Sequence, residues 1–229
     1  MKKTLTLALV LLSLQAFSQP TSWSMNPVKD DMKDFMKQLY QYASFRNGFV
    51  VFPDSTFAQL KLNYHRFSDE VHFIGTKGDT LTLKDPKSVW YALIGRDTFF
   101  YYRNGFIQKI TSYPRLNLGV KSVVQYIGKE QKGLYDTYTS VGSIDNVNDF
   151  SMDNQRSVMF TEDANYKFRS RDFFFFIDSS NRFLPVKKST LLELLPADAA
   201  AITAYIDSNK IDFDKQHHLL QLMWFINNL

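Results

Sequence analysis

The sequence predicts an α+β fold: a mostly antiparallel sheet, twisted or partly closed, with an N-terminal helix and a C-terminal three-helix segment. Apolar residues recur with a period of two through the middle of the chain, which is typical of half-buried strands. Helical spacing of apolar residues is found only towards the two ends. Aromatic residues, which favour strands, make up 16% of the chain.

The first residues have the features of a cleavable secretory signal. Two lysines precede an uncharged apolar stretch, and Ala16 and Ser18 supply the small side chains that signal peptidase requires. We therefore expect a signal peptide over residues 1–18, a mature chain that begins at Gln19, and a periplasmic or secreted location. A membrane span is not expected, since the stretch is shorter than the ~20 apolar residues that a span needs. The alternative is an uncleaved, buried N-terminal helix.

Composition narrows the class of protein further. The chain has no cysteine, so disulfides and thiolate metal sites are excluded and the core alone must stabilise one domain over 19–229. The formal charge of +4 falls to +2 without the two signal-peptide lysines, and charges of both signs are interspersed. Nucleic acid is therefore not expected as a partner. No later stretch is apolar enough to make the protein membrane-spanning.

Changes in the spacing of apolar residues along the chain predict where the helices and strands lie. Residues 30–42 carry apolar side chains at i, i+3, i+4 and i+7 and predict the N-terminal helix. A β-rich part, 48–186, follows, in which Asn104-Gly105 predicts a two-residue hairpin turn. The polar segment 128–164 predicts a long, flexible exposed loop with at most one short strand. The predicted strands are 48–52, 57–65, 70–74, 81–83, 89–94, 98–102, 106–111, 118–127, 166–177 and 183–186.

The C-terminal part, 187–229, is predicted to be helical. Thr190 and Glu193 form a capping-box pattern at the start of the first helix. Pro196 ends that helix and can begin the next, and Asp214 can cap the last. Helices this short are not stable alone in water, so they must pack on the sheet or on each other.

Several segments carry a family resemblance. They are Leu60-Lys61-Leu62-Asn63-Tyr64, Asp69-Glu70-Val71-His72-Phe73, and Asn181-Arg182-Phe183-Leu184-Pro185 with Lys187-Lys188 and Leu191-Leu192. Together with a mature start at Gln19, they resemble a family of uncharacterised exported proteins from Bacteroidota-like bacteria. The resemblance spans roughly Gly48 to the C-terminus, apart from 128–164, and it implies no catalytic residue.

The best candidate site combines His65, Glu70 and His72. If 66–69 is a turn, His65 lies opposite Glu70 and all three side chains share the solvent face of a hairpin. Two imidazoles and a carboxylate could hold a divalent metal or transfer a proton. The alternative is a plain solvated face. We expect no metal and no cofactor there, because neighbouring side chains on an open sheet project in parallel rather than converge.

Other polar groups suggest weaker candidates. Asp214 and His218, at i and i+4, could chelate a metal, although helix capping also explains Asp214. The stretch 145–149 supplies oxygen ligands suited to calcium but lacks the glycine and terminal glutamate of an EF-hand loop. The general catalytic motifs are absent: no Gly-x-Ser-x-Gly, His-Glu-x-x-His, phosphate-binding glycine loop or cysteine nucleophile is found.

Two surface patterns could instead bind a partner. Lys167, Arg169 and Arg171 alternate along one strand and could meet anionic glycans or lipid headgroups, or could protect an aggregation-prone strand. The runs 99–102 and 173–176 are aromatic and could line a cavity or simply fill the core.

These observations leave three functions open. We expect first a non-enzymatic envelope or secreted interaction or structural protein, whose partner would be an envelope protein or a glycan. The second is a binder of a small apolar ligand in an aromatic-lined cavity, which a cavity of several hundred Å³ would favour. The third is a metal-dependent hydrolase built on His65, Glu70 and His72. The sequence leaves the oligomeric state open.

Overall fold

A computed structural model describes residues 22–132, 138–140 and 164–229. Twelve strands of these residues pair in one antiparallel sheet. The expected signal peptide and the stretch 145–149 lie outside the described residues. The strands are β1 (Ser22–Met25), β2 (Arg46–Val51), β3 (Phe57–His65), β4 (Glu70–Ile74), β5 (Thr80–Thr82), β6 (Tyr91–Ile94), β7 (Asp97–Tyr101), β8 (Phe106–Lys109), β9 (Asn117–Lys132), β10 (Tyr138–Ser140), β11 (Ala164–Ile177) and β12 (Phe183–Pro185).

The predicted α+β class with an antiparallel sheet is confirmed. The sheet is open, with strand order β1-β11-β9-β8-β7-β6-β2-β3-β4-β5, and β10 and β12 add to β9 and β11. The helices are α1 (Met32–Gln38), α2 (Lys188–Leu194), α3 (Ala199–Asn209) and α4 (Gln216–Asn227). Within the described ranges, no helix has the length and hydropathy needed to cross a membrane.

The hydrophobic core lies on one face of the sheet, which we call the inner face. Strand register places Val50, Ala92, Phe99, Gln108 and Val120 in one row across β2, β6, β7, β8 and β9. Three buried clusters cover this face. One packs α2–α4 on the start of β9 and the end of β11, and a second is formed by side chains of β2–β4 and β6–β8. A third packs α1 on the middle of β9 and the first part of β11.

The β3–β4 register follows the prediction, because only that register puts both apolar sets on the same face. Tyr64 lies opposite Val71, Leu62 opposite Phe73, and His65 opposite Glu70. The apolar members of these pairs belong to the second cluster.

The turn between β7 and β8 differs from the prediction by one residue. Its two central residues are Arg103 and Asn104, both with positive φ, and the Tyr102 N–H donates to the Gly105 carbonyl at 2.8 Å. Gly105 is required for a different reason: a Cβ atom there would overlap the side-chain carboxylate of Asp69. The glycine therefore admits a buried carboxylate rather than a left-handed backbone.

The predicted start of the long loop, at residue 128, is also wrong. β9 continues to Lys132, because the polar residues from Gly128 onward still pair with β11, after a β-bulge that opposes Tyr126 and Gly128 to Phe168 and Lys167. β10 supplies one short strand. The rest of the predicted loop lies outside the described residues.

Two predicted helix caps are wrong. α2 begins at Lys188, so Thr190 lies inside the helix, and its N-cap position is Lys187 without a side-chain cap. The Val186 N–H donates to the Phe174 carbonyl at 3.4 Å, which holds residue 186 beside β11. The helix therefore begins only after this contact. The N-cap of α4 is Lys215 rather than Asp214, whose N–H is instead bonded to Asp212 Oδ1.

Candidate functional site

The predicted site on β3 and β4 is covered rather than solvated. His65 is only 7% exposed and its neighbour Asn63 1% exposed. The cause is the chain that follows α1: Tyr40 forms a β-bridge with His65, and the Gln41 N–H donates to the Tyr64 carbonyl at 2.8 Å. The prediction of a wet face is therefore wrong, because a segment distant in sequence extends the sheet beside the end of β3.

Inside this cover the polar groups form a hydrogen-bonded chain. The Tyr40 hydroxyl lies 2.9 Å from His72 Nδ1, and His72 Nε2 lies 3.4 Å from Glu70 Oε2. The rings of His65 and His72 are stacked, with centroids 4.8 Å apart and planes 10° from parallel. The Tyr40 ring meets His65 edge-on at 4.7 Å. Ser68 Oγ lies 2.8 Å from His65 Nδ1.

Burial controls the charge of this cluster. Burial, and then the positive charge of a protonated His72, lower the pKa of His65 to about 4, so the His65 ring is neutral at pH 7. The pKa of Tyr40 is raised by burial. Burial acts to raise the pKa of Glu70, but hydrogen bonds from His72 and Ser68 outweigh it, so the pKa is lowered.

The arrangement is suited to structure more than to catalysis. The two imidazoles face each other instead of pointing to one ligand position, and both nitrogens of His72 have neighbours within hydrogen-bonding distance. Over the described ranges, no group of three His, Cys, Asp or Glu side chains could hold a metal ion. His218 Nδ1 accepts the Asp212 N–H at 2.9 Å, so that imidazole serves a turn before α4.

A cleft of about 1040 Å³ opens on the inner face of the sheet. It lies between the part of the sheet that α2–α4 cover and the part that α1 covers. Its floor is made by alternate residues of β9 and β11, among them Ser122, Ser170 and Asp172. Phe213, in the turn before α4, and Arg66, just after β3, contribute to its walls.

Polar residues in the middle of β9 and β11 are compatible with the inner face because the cleft exposes them to solvent. The Ser122 hydroxyl donates to Asp172 Oδ1 at 2.6 Å. The Arg66 guanidinium donates to the Gln38 carbonyl and lies 3.5 Å from Ser170 Oγ. These groups hold each other in place along the floor, so the polar part of the cleft is largely formed before any ligand arrives.

The other end of the cleft is apolar. Phe174 and Val120 continue the same strands beyond Asp172 and Ser122, and Ile110, Val186 and Phe213 surround them. The aromatic run 173–176 therefore contributes Phe174 to the cleft, whereas Phe176 is fully buried under the helices. In the other aromatic run, Phe99 is a core residue of the second cluster.

Sequence reasoning missed the cleft, although a signal was present. Apolar alternation along the inner face is broken by Ser122 in β9 and by Asp172 in β11, and these two residues are direct cross-strand partners. A polar pair at matching positions of two otherwise apolar faces indicates a gap in the core. Only the β9–β11 register shows that the positions match.

A second feature that sequence reasoning missed is the buried carboxylate of Asp69. Its Oδ1 accepts the Tyr64 hydroxyl at 2.6 Å and the Phe106 N–H at 3.0 Å, and its Oδ2 forms an ion pair with Lys121. Burial raises the pKa of Asp69, and Lys121 opposes that effect. The carboxylate joins the β3–β4 turn to β8 and β9.

The basic stripe predicted on β11 is partly neutralised. Lys167 forms a 2.6 Å ion pair with Glu130, and Arg169 lies 3.4 Å from Gln125 Oε1. The Arg171 guanidinium lies over the Phe173 ring at 5.0 Å, an arrangement that covers part of an aromatic side chain at a strand surface.

No family model, curated protein or solved structure matches this chain. The resemblance to exported proteins of Bacteroidota-like bacteria therefore stays a prediction from the sequence.

Proposed function

We propose that this protein is an exported, non-enzymatic binding protein that holds a small ligand in the inner-face cleft. The observation that carries this proposal is the cleft itself. Its volume of about 1040 Å³ is in the range of small-molecule sites, and its floor combines apolar surface with a few fixed polar groups. The histidine cluster on β3 and β4 is separate from it.

The lining favours a ligand without net charge that has both a flat apolar part and several hydrogen-bonding groups. Arg66 offsets Asp172, and Asp214 adds a second carboxylate, so the lining offers no excess of positive charge to an anionic ligand. The Arg171 guanidinium lies on the opposite face of the sheet, over Phe173. Glutamine amides at positions 41, 108 and 216 offer both donors and acceptors. The Phe174 end would take the apolar part. This lining departs from the purely apolar ligand suggested by the aromatic runs.

The neutral, flat dye Nile red tests whether the cleft binds such a molecule. We expect saturable binding, and we expect Gln108→Trp to weaken it roughly tenfold, because an indole at that position would fill the cleft beside Val120; tenfold corresponds to about 1.4 kcal/mol. The measurement is a fluorescence titration of the purified mature protein.

The matched control is Gln59→Trp, which adds the same indole to a strand glutamine on the opposite face of the sheet. Equal loss in both variants, or undiminished binding by Gln108→Trp, would contradict a site in the cleft. Circular dichroism of both variants checks that the fold is retained.

Export is the second part of the proposal and is supported by the basic start, the apolar stretch and the Ala16-x-Ser18 pattern. We expect the protein recovered from its host to begin at or within two residues of Gln19. Intact-mass analysis measures this, with Ala16→Leu as a variant that should block cleavage. A recovered mass equal to that of the full chain would contradict export by this route.

A metal-dependent hydrolase is the weaker candidate. It would need His65, Glu70 and His72 to direct their ligand atoms at one ion. The imidazoles of His65 and His72 are stacked face to face instead.

A further inference from the structure

The face of the sheet opposite the core, which we call the outer face, carries one apolar row of side chains and further aromatic rings beside it. Strand register aligns Phe57, Val51, Tyr91 and Phe100 across β3, β2, β6 and β7, and the row ends at the fully buried Ile107 of β8. In a parallel row, Phe49 and Leu93 are followed by Thr98, Lys109 and Gly119 before Phe175. The two core clusters that include the helices cover the inner face instead.

Two rings, those of Phe57 and Trp90, are open to solvent, and the half-buried rings beside them contact one another. Phe57 is 64% exposed and stacks edge-on with Phe49 at 5.6 Å, and Trp90, 49% exposed, contacts Tyr91 at 5.2 Å. The ring contacts continue across the face from Tyr91 to Phe100, Phe183, Tyr102 and Phe175. An apolar surface of this continuity is unusual on a protein that has no partner.

On the strands that carry these rings the outer-face charges have one sign, whereas Glu70 on β4 shares this face beside the covered His65. Alternate outer-face positions of β2, β6, β7, β8 and the Phe57–Lys61 part of β3 include no Asp or Glu, and Lys61 and Lys109 lie among them. The same face of β9 and β11 adds Lys121, Arg169 and Arg171 over positions 119–125 and 169–177, again without an acidic residue. Lys121 is occupied by Asp69, but Lys61 is exposed.

We propose that the outer face docks on an anionic lipid surface. Tryptophan, tyrosine and phenylalanine at a membrane interface place their rings among the headgroups. Lysine and arginine near an anionic membrane are attracted by its negative surface potential. A second copy of this chain would bring the same cations together and repel, whereas a lipid surface supplies the anionic charge that this face lacks.

Vesicle flotation tests the proposal with the mature chain. We expect the protein to float with vesicles of phosphatidylcholine mixed with phosphatidylglycerol and to float much less with phosphatidylcholine alone. The double variant Phe57→Ser, Trp90→Ser should lower the bound fraction at least fivefold, and Lys61→Glu, Lys109→Glu should lower it similarly at low salt.

Matched controls are Trp224→Ser, which removes a 59%-exposed tryptophan from α4, and Lys33→Glu on α1. Both should bind like the unaltered chain. Equal binding to the two vesicle types, equal loss in the controls, or a concentration-dependent dimer in sedimentation velocity that Phe57→Ser, Trp90→Ser dissolves would overturn the proposal. A retained thermal transition in each variant separates lost docking from lost folding.

Discussion

Replacing Asp69 with alanine is expected to lower the free energy of unfolding by about 3–5 kcal/mol, because removal of one partner of a buried ion pair leaves the other charge uncompensated. Lys121 would lose its carboxylate, and the Tyr64 hydroxyl and the Phe106 N–H would lose their acceptor. The side chains of Asp69 and Lys121 are only 17% and 14% exposed, so water cannot replace these contacts fully. Urea unfolding followed by circular dichroism measures the loss.

The control is Asp54→Ala, which removes an exposed turn aspartate of the same β-rich part whose Oδ1 accepts the Thr56 N–H and hydroxyl. It should change the free energy of unfolding far less than Asp69→Ala does, because its carboxylate is exposed to water. A further arm is the double variant Asp69→Ala, Lys121→Ala, which should be less destabilised than the sum of the single variants. Additive losses would show that the pair is not coupled.

The free energy of unfolding is expected to decrease by about 3 kcal/mol as the pH falls from 6.5 to 4. Each unit by which a pKa in the folded protein lies below its value in the unfolded chain is worth about 1.4 kcal/mol. The pKa of His65 is about 4 in the folded protein and about 6.5 when unfolded. Between these values the unfolded chain binds the proton and the folded chain does not, so the stabilisation is complete above pH 6.5 and is lost towards pH 4. The lowered pKa of Glu70 adds a further loss below its ordinary range.

The variant His65→Gln tests the origin of this pH dependence, since glutamine cannot titrate but can still bond Ser68. Its stability should change little between pH 6.5 and 4, apart from the contribution of carboxylates. His217→Gln, at an exposed histidine of α4, should retain the full dependence. A flat profile for the unaltered chain, or a full dependence that survives in His65→Gln, would contradict the assignment to His65.

Local patterns in the sequence were sufficient for the class of fold and for parts of its register. The period-two alternation of 57–65 and 70–74 places Tyr64 against Val71, because any other register exposes one apolar set. The turn before β8 was predicted within one residue. The features that failed were those in which a distant contact outweighs a local preference, as at Thr190 and Asp214.

The sequence by itself determined that strands with one apolar face form an antiparallel sheet, that no disulfide supports it, and which residue types stand on each strand. Tertiary structure alone decided what covers each strand, because cover comes from segments far away in the chain. Tyr40 turns His65 from a solvated residue into a buried one, and Gly105 leaves room for the carboxylate of Asp69. Ser122 and Asp172 lie in an open cleft because neither α1 nor α2–α4 covers that part of the sheet. Burial depends on such neighbours in space, which local periodicity does not report.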